Sequence, residues 1–390
     1  MTTSSTRSSR RPRRFILPTL SSAALVAALV AVPGAATADP GYRVVASGLD
    51  NPRHLSIGPG HDLFVAEAGT GGAGPCLVGP EGGVCYGRTG AVTRVDVKHR
   101  TQKRVLTGLP SLGSAPSTDP EAPPPGSQAI GPGDVVLRGS KRLVVTIGLG
   151  NDPAIRTQYP ALRDMGTLRT GKIGSSRTHL LADLAGHEAA TNPAPPADAP
   201  DSNPGGFTKV GSGYVVADAG GNDLVEVSKS GGMKTRAIFP EQMATAPDFL
   251  GLPPGTKIPA QAVPTSVVSD PDGALYVSQL TGFPFEKGLA KIYRVDRQGR
   301  VSVYASGLTN VTDLAFGPGG HLYAVQISSE GLLTGPVGSV VRIPKGGGHA
   351  SVIAGGLFAP YGIAITGRTG YVTTGSVTPG GGQVIALHLR

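Results

Sequence analysis

One short phrase recurs along this chain, and it constrains the fold more than any other feature. LFVAEAG at 63–69 returns as YVVADAG at 214–220, and in more divergent form as LYVSQLTG from 275 and LYAVQIS from 322. The phrase belongs to a longer unit. VVASGLDNPRHLSIGPG (44–60) precedes it and recurs as VYASGLTNVTDLAFGPGG (303–320) and VIAGGLFAPYGIAITG (352–367). GAVTRVD (90–96) follows it, echoed by DLVEVS at 223, KIYRVD at 291, GSVVRIP at 338 and GQVIALH at 382. Each copy of such a unit is too small to bury its own apolar face and must stack on its neighbours.

Each part of the unit alternates apolar and polar residues over four to six positions, the period of a half-buried strand. Glycine and proline fall between the parts, where turns need a positive or preset φ. The chain holds 59 Gly and 35 Pro. Without periodicity that content would point to disorder; here it punctuates strands. The unit reads as an antiparallel meander of four strands, and radial stacking of such sheets gives a β-propeller. The Leu-Tyr-Val strand is found at 63–67, 143–147, 214–218, 275–279, 322–326 and 371–374, which predicts an all-β, six-bladed propeller of four-stranded antiparallel blades. The alternative is seven blades, one of them degenerate near 150–200. Insertions are expected at 68–89, 110–128, 148–166, 185–201 and 240–262, and one helical turn between Leu180 and Ala190.

Residues 1–14 carry five arginines and no acid; an apolar run to Val32 and the small residues Ala36-Thr37-Ala38 follow. This is the layout of a secretory signal peptide, assigned to 1–38, with a single propeller domain over 39–390 and a secreted, extracellular location. The twin arginine at 13–14 leaves the export route open. No later apolar stretch is long enough to span a bilayer. Five of the 35 basic residues leave with the leader and none of the 26 acidic, so +9 becomes +4. That modest excess, with no basic cluster interleaved with aromatics, does not suggest nucleic acid. A monomer is expected. The two cysteines, Cys76 and Cys85, share one Gly-rich segment without histidine, so a disulfide is expected rather than a metal pair.

Rotation about the propeller axis brings equivalent residues to one radius and height. The ends of the repeated strands and the residues before each first strand therefore form a ring at one mouth of the channel. The candidate ligand-binding set is Arg53, Glu67, Asn203, Asp218, Gln279 and Gln326. Oxygen donors of this kind suit Ca²⁺, with Glu67 and Asp218 as the metal-binding acids. The competing reading has each side chain closing a turn on its own blade. His54 is the one histidine beside a channel loop, and no nucleophile elbow or phosphate loop is present.

VVASGLDNPRHLSIGPGHDLFVAEAG, GPEGGVCYGRTGAVTRVD, ADLAGHEAATNP, DSNPGGF and YVVADAGGNDLVEV together resemble the ScyD/ScyE family of exported propeller proteins, over about 42–390. The resemblance implies a six-bladed, NHL-like propeller outside the cytoplasm and supplies no catalytic residues. A secreted binding or scaffold protein is the expectation, its partner an unknown small molecule or a protein held across one face. The alternative is an enzyme acting at the channel. One form is a metal-dependent lactonase, which Glu67, Asn203 and Asp218 would serve; the other is a sugar-dehydrogenase-like oxidoreductase, in which Arg53 and His54 would stand in for the channel groups.

Overall fold

The computed structural model describes residues 41–79, 82–193 and 199–389. The segment assigned as a signal peptide lies outside the described residues. Six sheets follow one another along the chain. Their first strands are Pro52–Ile57, Pro132–Arg138, Pro204–Val210, Pro264–Ser269, Val311–Phe316 and Ile363–Thr366. These pack on one another between blades and surround the axis. The second strands, Leu63–Glu67, Arg142–Ile147, Gly213–Asp218, Leu275–Gln279, Leu322–Gln326 and Thr369–Thr374, are the repeated phrase, and they lie one strand further out. Blades are numbered 1 to 6 in that order.

A single hydrogen bond demonstrates the six-fold repeat. A residue just past each second strand donates its N–H to a carbonyl shortly ahead of the first strand: Ala68 to Asn51, Gly148 to Gly131, Ala219 to Asn203, Leu280 to Val263, Ile327 to Asn310 and Ser376 to Ala359, at 2.8–3.1 Å. Four of the accepting residues (Asn51, Val263, Asn310 and Ala359) take positive φ, the tight entry that the repeated Asx-Pro and Ala-Pro pairs announce.

Blade 6 is completed from the other end of the chain. Its outer strand is Tyr42–Leu49, paired antiparallel with Gly382–His388, Tyr42 opposite Leu387. Val45 and Leu49 of that strand pack with Leu63, Val65 and Val95 of blade 1 and with Val384 of blade 6. Gln102 of blade 1 also bridges Ser47, donating to its carbonyl at 2.7 Å and accepting from its N–H at 3.1 Å. The closing strand thus completes blade 6 and at the same time joins it to blade 1.

A seventh sheet exists, but it is a hairpin of Gln242–Thr245 and Lys257–Ala260 within the 240–262 insertion. The 150–200 stretch is no degenerate blade. It provides the outer strands of blade 2, Thr167–Lys172 and Thr178–Asp183, and the helices α1 (Ile155–Gln158) and α2 (Leu184–Thr191). The helix expected from Leu180 starts later because Thr178–Asp183 pairs with blade 2. Asp183 then caps α2, accepting from Gly186 N–H at 3.0 Å.

First strands begin at what is called here the upper face. Antiparallel order puts the second-to-third connections and the blade-to-blade connections there too. Every one of the five insertions consequently emerges on the upper face. The lower face carries short turns such as 58–62, 97–100 and 211–212. Among the described residues no helix is long and apolar enough to cross a membrane.

Cys76 and Cys85 face each other across the hairpin of Cys76–Gly79 with the start of Gly82–Asp96, and they are disulfide-bonded. A bond of this kind suits an oxidising compartment. In the chain-entropy picture so short a loop contributes roughly 2–3 kcal/mol. The Cys76→Ser/Cys85→Ser double variant is expected to lose about that much in a denaturant titration against the wild type in the same buffer.

Candidate functional site

The sequence-derived ring splits once its side chains are placed. Glu67, Asp218, Gln279 and Gln326 occupy one rung, opposite Pro52, Pro204, Pro264 and Val311 respectively. All four are buried and turned into their own blades. Glu67 accepts from Asp50 N–H at 2.8 Å, from the Thr93 hydroxyl and from the Arg104 guanidinium, so its counter-charge is an arginine. Asp218 accepts from Asn203 N–H at 2.6 Å and the Ser202 hydroxyl at 2.7 Å. Gln326 accepts from Thr309 N–H at 2.7 Å. Gln279 accepts from Gln242 at 2.9 Å and from Lys291 N–H at 3.1 Å.

Three of these four therefore hold the loop that enters the first strand of their blade. That is a turn-closing arrangement, and it explains why the repeated strand ends in a carboxylate or amide. In blade 2 the equivalent place, opposite Pro132, is Ile147, which has no side-chain oxygen to close the entering loop.

The axis itself is occupied by a different set, three residues into each first strand. A register shift after Pro52, Pro132, Pro204 and Pro264 opens a bulge at this point, and a similar shift follows Val311. Bulges re-aim side chains, and here the set is His54, Asp134, Gly206, Ser266, Asp313 and Gly362. Asp134 accepts from Val135 N–H (2.6 Å) and from Phe207 N–H of blade 3 (2.9 Å). Asp313 does the same with Leu314 N–H (2.8 Å) and Ile363 N–H of blade 6 (2.7 Å), and takes the Ser266 hydroxyl of blade 4 (2.7 Å).

His54 spans the channel between them. Its Nδ1 lies 2.9 Å from the Gly133 carbonyl of blade 2, and its Nε2 lies 3.1 Å from the Thr312 carbonyl of blade 5. A carbonyl only accepts, and neutral imidazole has one N–H to give. Both contacts are satisfied only by imidazolium. Burial by itself would lower the His54 pKa, but Asp313 (3.8 Å from Nε2), Asp134 and the two carbonyls outweigh it and raise the value above 6.5. Burial pushes Asp134 up to about 6 against the pull of His54, and raises Asp313 likewise.

Tyr361 stacks edge-on against His54, with 5.0 Å between ring centroids, and carries Arg53 over its face at 4.7 Å. Arg53 also donates to the Ala129 carbonyl at 2.6 Å. Of the six sequence candidates, Arg53 is the one whose side chain joins the axial group.

Threonine hydroxyls tie successive blades around this plug. Thr146 donates to Gly205, Thr265 to Val311, Thr312 to Tyr361 and Thr373 to Arg53, all to carbonyls at 2.6–2.8 Å. Sequence reading did not single out Asp134, Asp313 or Tyr361 as site residues. The signal was available in principle, because Pro-Arg-His at 52–54, Pro-Gly-Asp at 132–134, Pro-Thr-Ser at 264–266 and Val-Thr-Asp at 311–313 align. Away from the axis, an open cleft of about 480 Å³ lies on the upper face between the disulfide hairpin and α1, lined by Leu77, Val78, Asn151, Ile155, Gln158 and Tyr159.

No family model matches this chain, and no curated protein resembles it in sequence. Solved structures resemble it in fold. A Bacteroides thetaiotaomicron protein of unknown function superposes with a TM-score of 0.51 at 10% identity, covering 89% of this chain and 72% of that one. The PQQ-bound aldose sugar dehydrogenase of Streptomyces coelicolor gives 0.50 at 13%, covering 89% and 96%. The calcium-binding protein regucalcin of Agrobacterium tumefaciens gives 0.50 at 11%, covering 90% and 93%. Identities this low speak to fold alone, and the fold they share with this chain is the β-propeller.

Proposed function

We propose that this chain is an exported binding or scaffold propeller, as its ScyD/ScyE resemblance suggests, and that it meets a small molecule or protein partner on its upper face. The observation that carries this reading is the asymmetry of the two faces. All five insertions leave from the upper face, and insertions confined to one face of a repeat array mark its binding side. These and the neighbouring upper loops also expose large apolar side chains, among them Val78, Met243, Phe249, Phe283 and Leu333. Phe249 and Phe283 stand in edge contact at 6.2 Å. Glu67, Asn203, Asp218, Gln279 and Gln326 would then shape the loops that present this surface.

The second reading is an enzyme at the axis. The buried His54–Asp134–Asp313 group favours it, since perturbed acids and bases gather at catalytic centres. Among the structural neighbours are a PQQ-bound aldose sugar dehydrogenase and a calcium-binding protein. Against it, each axial carboxylate and both imidazole nitrogens already have partners from neighbouring blades.

Two measurements separate the readings. Photo-crosslinkers placed at Val78 on the upper face and Arg100 on the lower face are compared in exported protein in its native medium. Adducts are expected from Val78 and not from Arg100; equal labelling overturns the upper-face assignment. Lactone hydrolysis is then assayed with Ca²⁺ or Zn²⁺, and aldose oxidation after loading with PQQ and Ca²⁺. Saturable turnover that Arg53→Ala removes would replace the binding reading with the enzymatic one.

A further inference from the structure

The lower ends of blades 2 and 3 carry charge of one sign. Their turns, at 138–142, 172–177, 209–212 and 228–232, hold Arg138, Lys141, Arg142, Lys172 and Arg177 on blade 2, then Lys209 and Lys229 on blade 3, and no acid. All seven residues are exposed. Among the described residues, the ion pairs found leave all seven out. Glu226, in the strand that leads into the last of these turns, is already answered by Lys234 at 3.3 Å and Arg236 at 3.9 Å.

The upper loops of the same blades, at 148–166, 183–192, 199–203 and 218–223, hold seven acids and two arginines. These two blades are therefore polarised from face to face, although the chain past residue 38 carries only +4. On the lower face the basic band has borders. Asp62 and Asp96 stand at the turns of blade 1, and Asp270, Asp272 and Asp296 at those of blade 4. Seven like charges drawn from four separate loops repel one another across the surface, and they concentrate ions of opposite sign there.

The make-up of these turns narrows the partner. Those at 138–142, 172–177 and 228–232 hold no aromatic residue, and the half-buried Ile173 is their one large apolar side chain. They offer no ring on which a nucleic-acid base could stack and no exposed apolar side chain to seat in a bilayer. A flat anionic membrane would also press its charge against the acids of blades 1 and 4. A linear polyanion can follow the band across two blades and miss those acids.

We propose that this band docks a linear acidic polysaccharide, a polymer whose sugars carry carboxylate groups, with the upper loops turned away from it. Recognition is by charge. Lysine and arginine on flexible stems pair with successive carboxylates, and arginine takes one bidentately. Release of the small ions gathered along the polymer drives association, so binding weakens steeply with salt. The proposal takes from the functional reading only that the protein is exported. The crosslinking outcome at Val78 leaves it untouched, and Arg100 lies on blade 1, outside the band.

The test measures binding of the exported full-length protein to polygalacturonate by calorimetry, with dextran as the uncharged control. Affinity is expected to fall roughly tenfold or more between about 50 and about 200 mM NaCl, and dextran is expected not to bind. Lys141→Glu/Arg142→Glu should lower the affinity roughly tenfold at the lower salt and flatten the salt dependence. It should melt at the wild-type temperature, since both residues are exposed and outside the ion pairs found. Lys345→Glu/Arg368→Glu, the same charge change at the lower ends of blades 5 and 6, should lose far less. Absence of polygalacturonate binding by the wild type overturns the proposal. So does an equal loss in the two double variants, which would make the attraction one of net charge. Tighter binding to double-stranded DNA or to phosphatidylserine vesicles at the same salt overturns the assignment to a polysaccharide. If the first variant does not fold, Lys172→Glu/Arg177→Glu decides.

Discussion

Replacing His54 with alanine is expected to cost about 3–5 kcal/mol at pH 5.5, the penalty for removing one partner from a buried charge group. The loss has three sources. The Gly133 and Thr312 carbonyls are left without donors. Asp134 and Asp313 lose the cation between them. The ring contact with Tyr361 disappears and a cavity opens on the axis.

The pH dependence has a definite sign. His54 has a folded pKa raised above its ordinary 6.5. Its charge therefore stabilises the fold fully below about pH 6.5, and that contribution fades as pH rises through the folded value. The wild-type-minus-variant difference in guanidinium titrations should accordingly be larger at pH 5.5 than at pH 8.5. Equal deficits at both values would mean that the imidazolium charge plays no part. His54→Gln is expected to recover part of the loss at either pH, since an amide can donate to one of the two carbonyls.

A chain starting at Asp50, without the Tyr42–Leu49 strand, is expected not to form a stable monomer. Burial of Val45 and Leu49 is worth roughly 1.5–3 kcal/mol each, and the ladder to Gly382–His388 adds roughly 0.5–1.5 kcal/mol per hydrogen bond. Taking one bond for each of the six paired positions brings the total to roughly 6–15 kcal/mol, comparable to the whole stability of an ordinary domain. Size-exclusion chromatography should show aggregate, and the cooperative melt should vanish. Adding a synthetic peptide of residues 41–49 is expected to restore some folded material. A truncated chain that melts cooperatively near the wild-type temperature would show that the ring holds without its closing strand.

The blade count could be read from sequence because it depends on local chemistry repeated many times: an alternating Leu-Tyr-Val strand, a Gly-Pro turn, another strand. The closing strand was also visible, in retrospect. VVASGL at 44–49 matches VYASGL at 303–308, which is the outer strand of blade 4. An outer-strand phrase placed ahead of the first strand of blade 1 matches a strand that completes the last blade. The rung holding Glu67, Asp218, Gln279 and Gln326 was legible too, because rotational equivalence follows from spacing. What those side chains hold was not. Their partners include backbone amides of Asp50, Asn203 and Thr309, and nothing in a residue's type distinguishes an oxygen facing an amide from one facing a ligand. The axial group was harder still. His54, Asp134 and Asp313 meet only through contacts between blades, and the bulge that turns them inward leaves no mark in composition.

The pairing of Tyr42 with Leu387 sets a schedule as well as a structure. The first strand of the domain waits for nearly the last one before it has a partner. At roughly 5–20 residues per second of chain production, that wait is tens of seconds. Throughout it, Val45 and Leu49 have only the blade 1 side of their packing, and the newest blade offers an open flank to the next molecule. Pairings this distant in sequence also form slowly. Assembly of this chain therefore has its greatest exposure to misjoining just before completion, and conditions that keep molecules apart during that interval should raise the yield of closed rings.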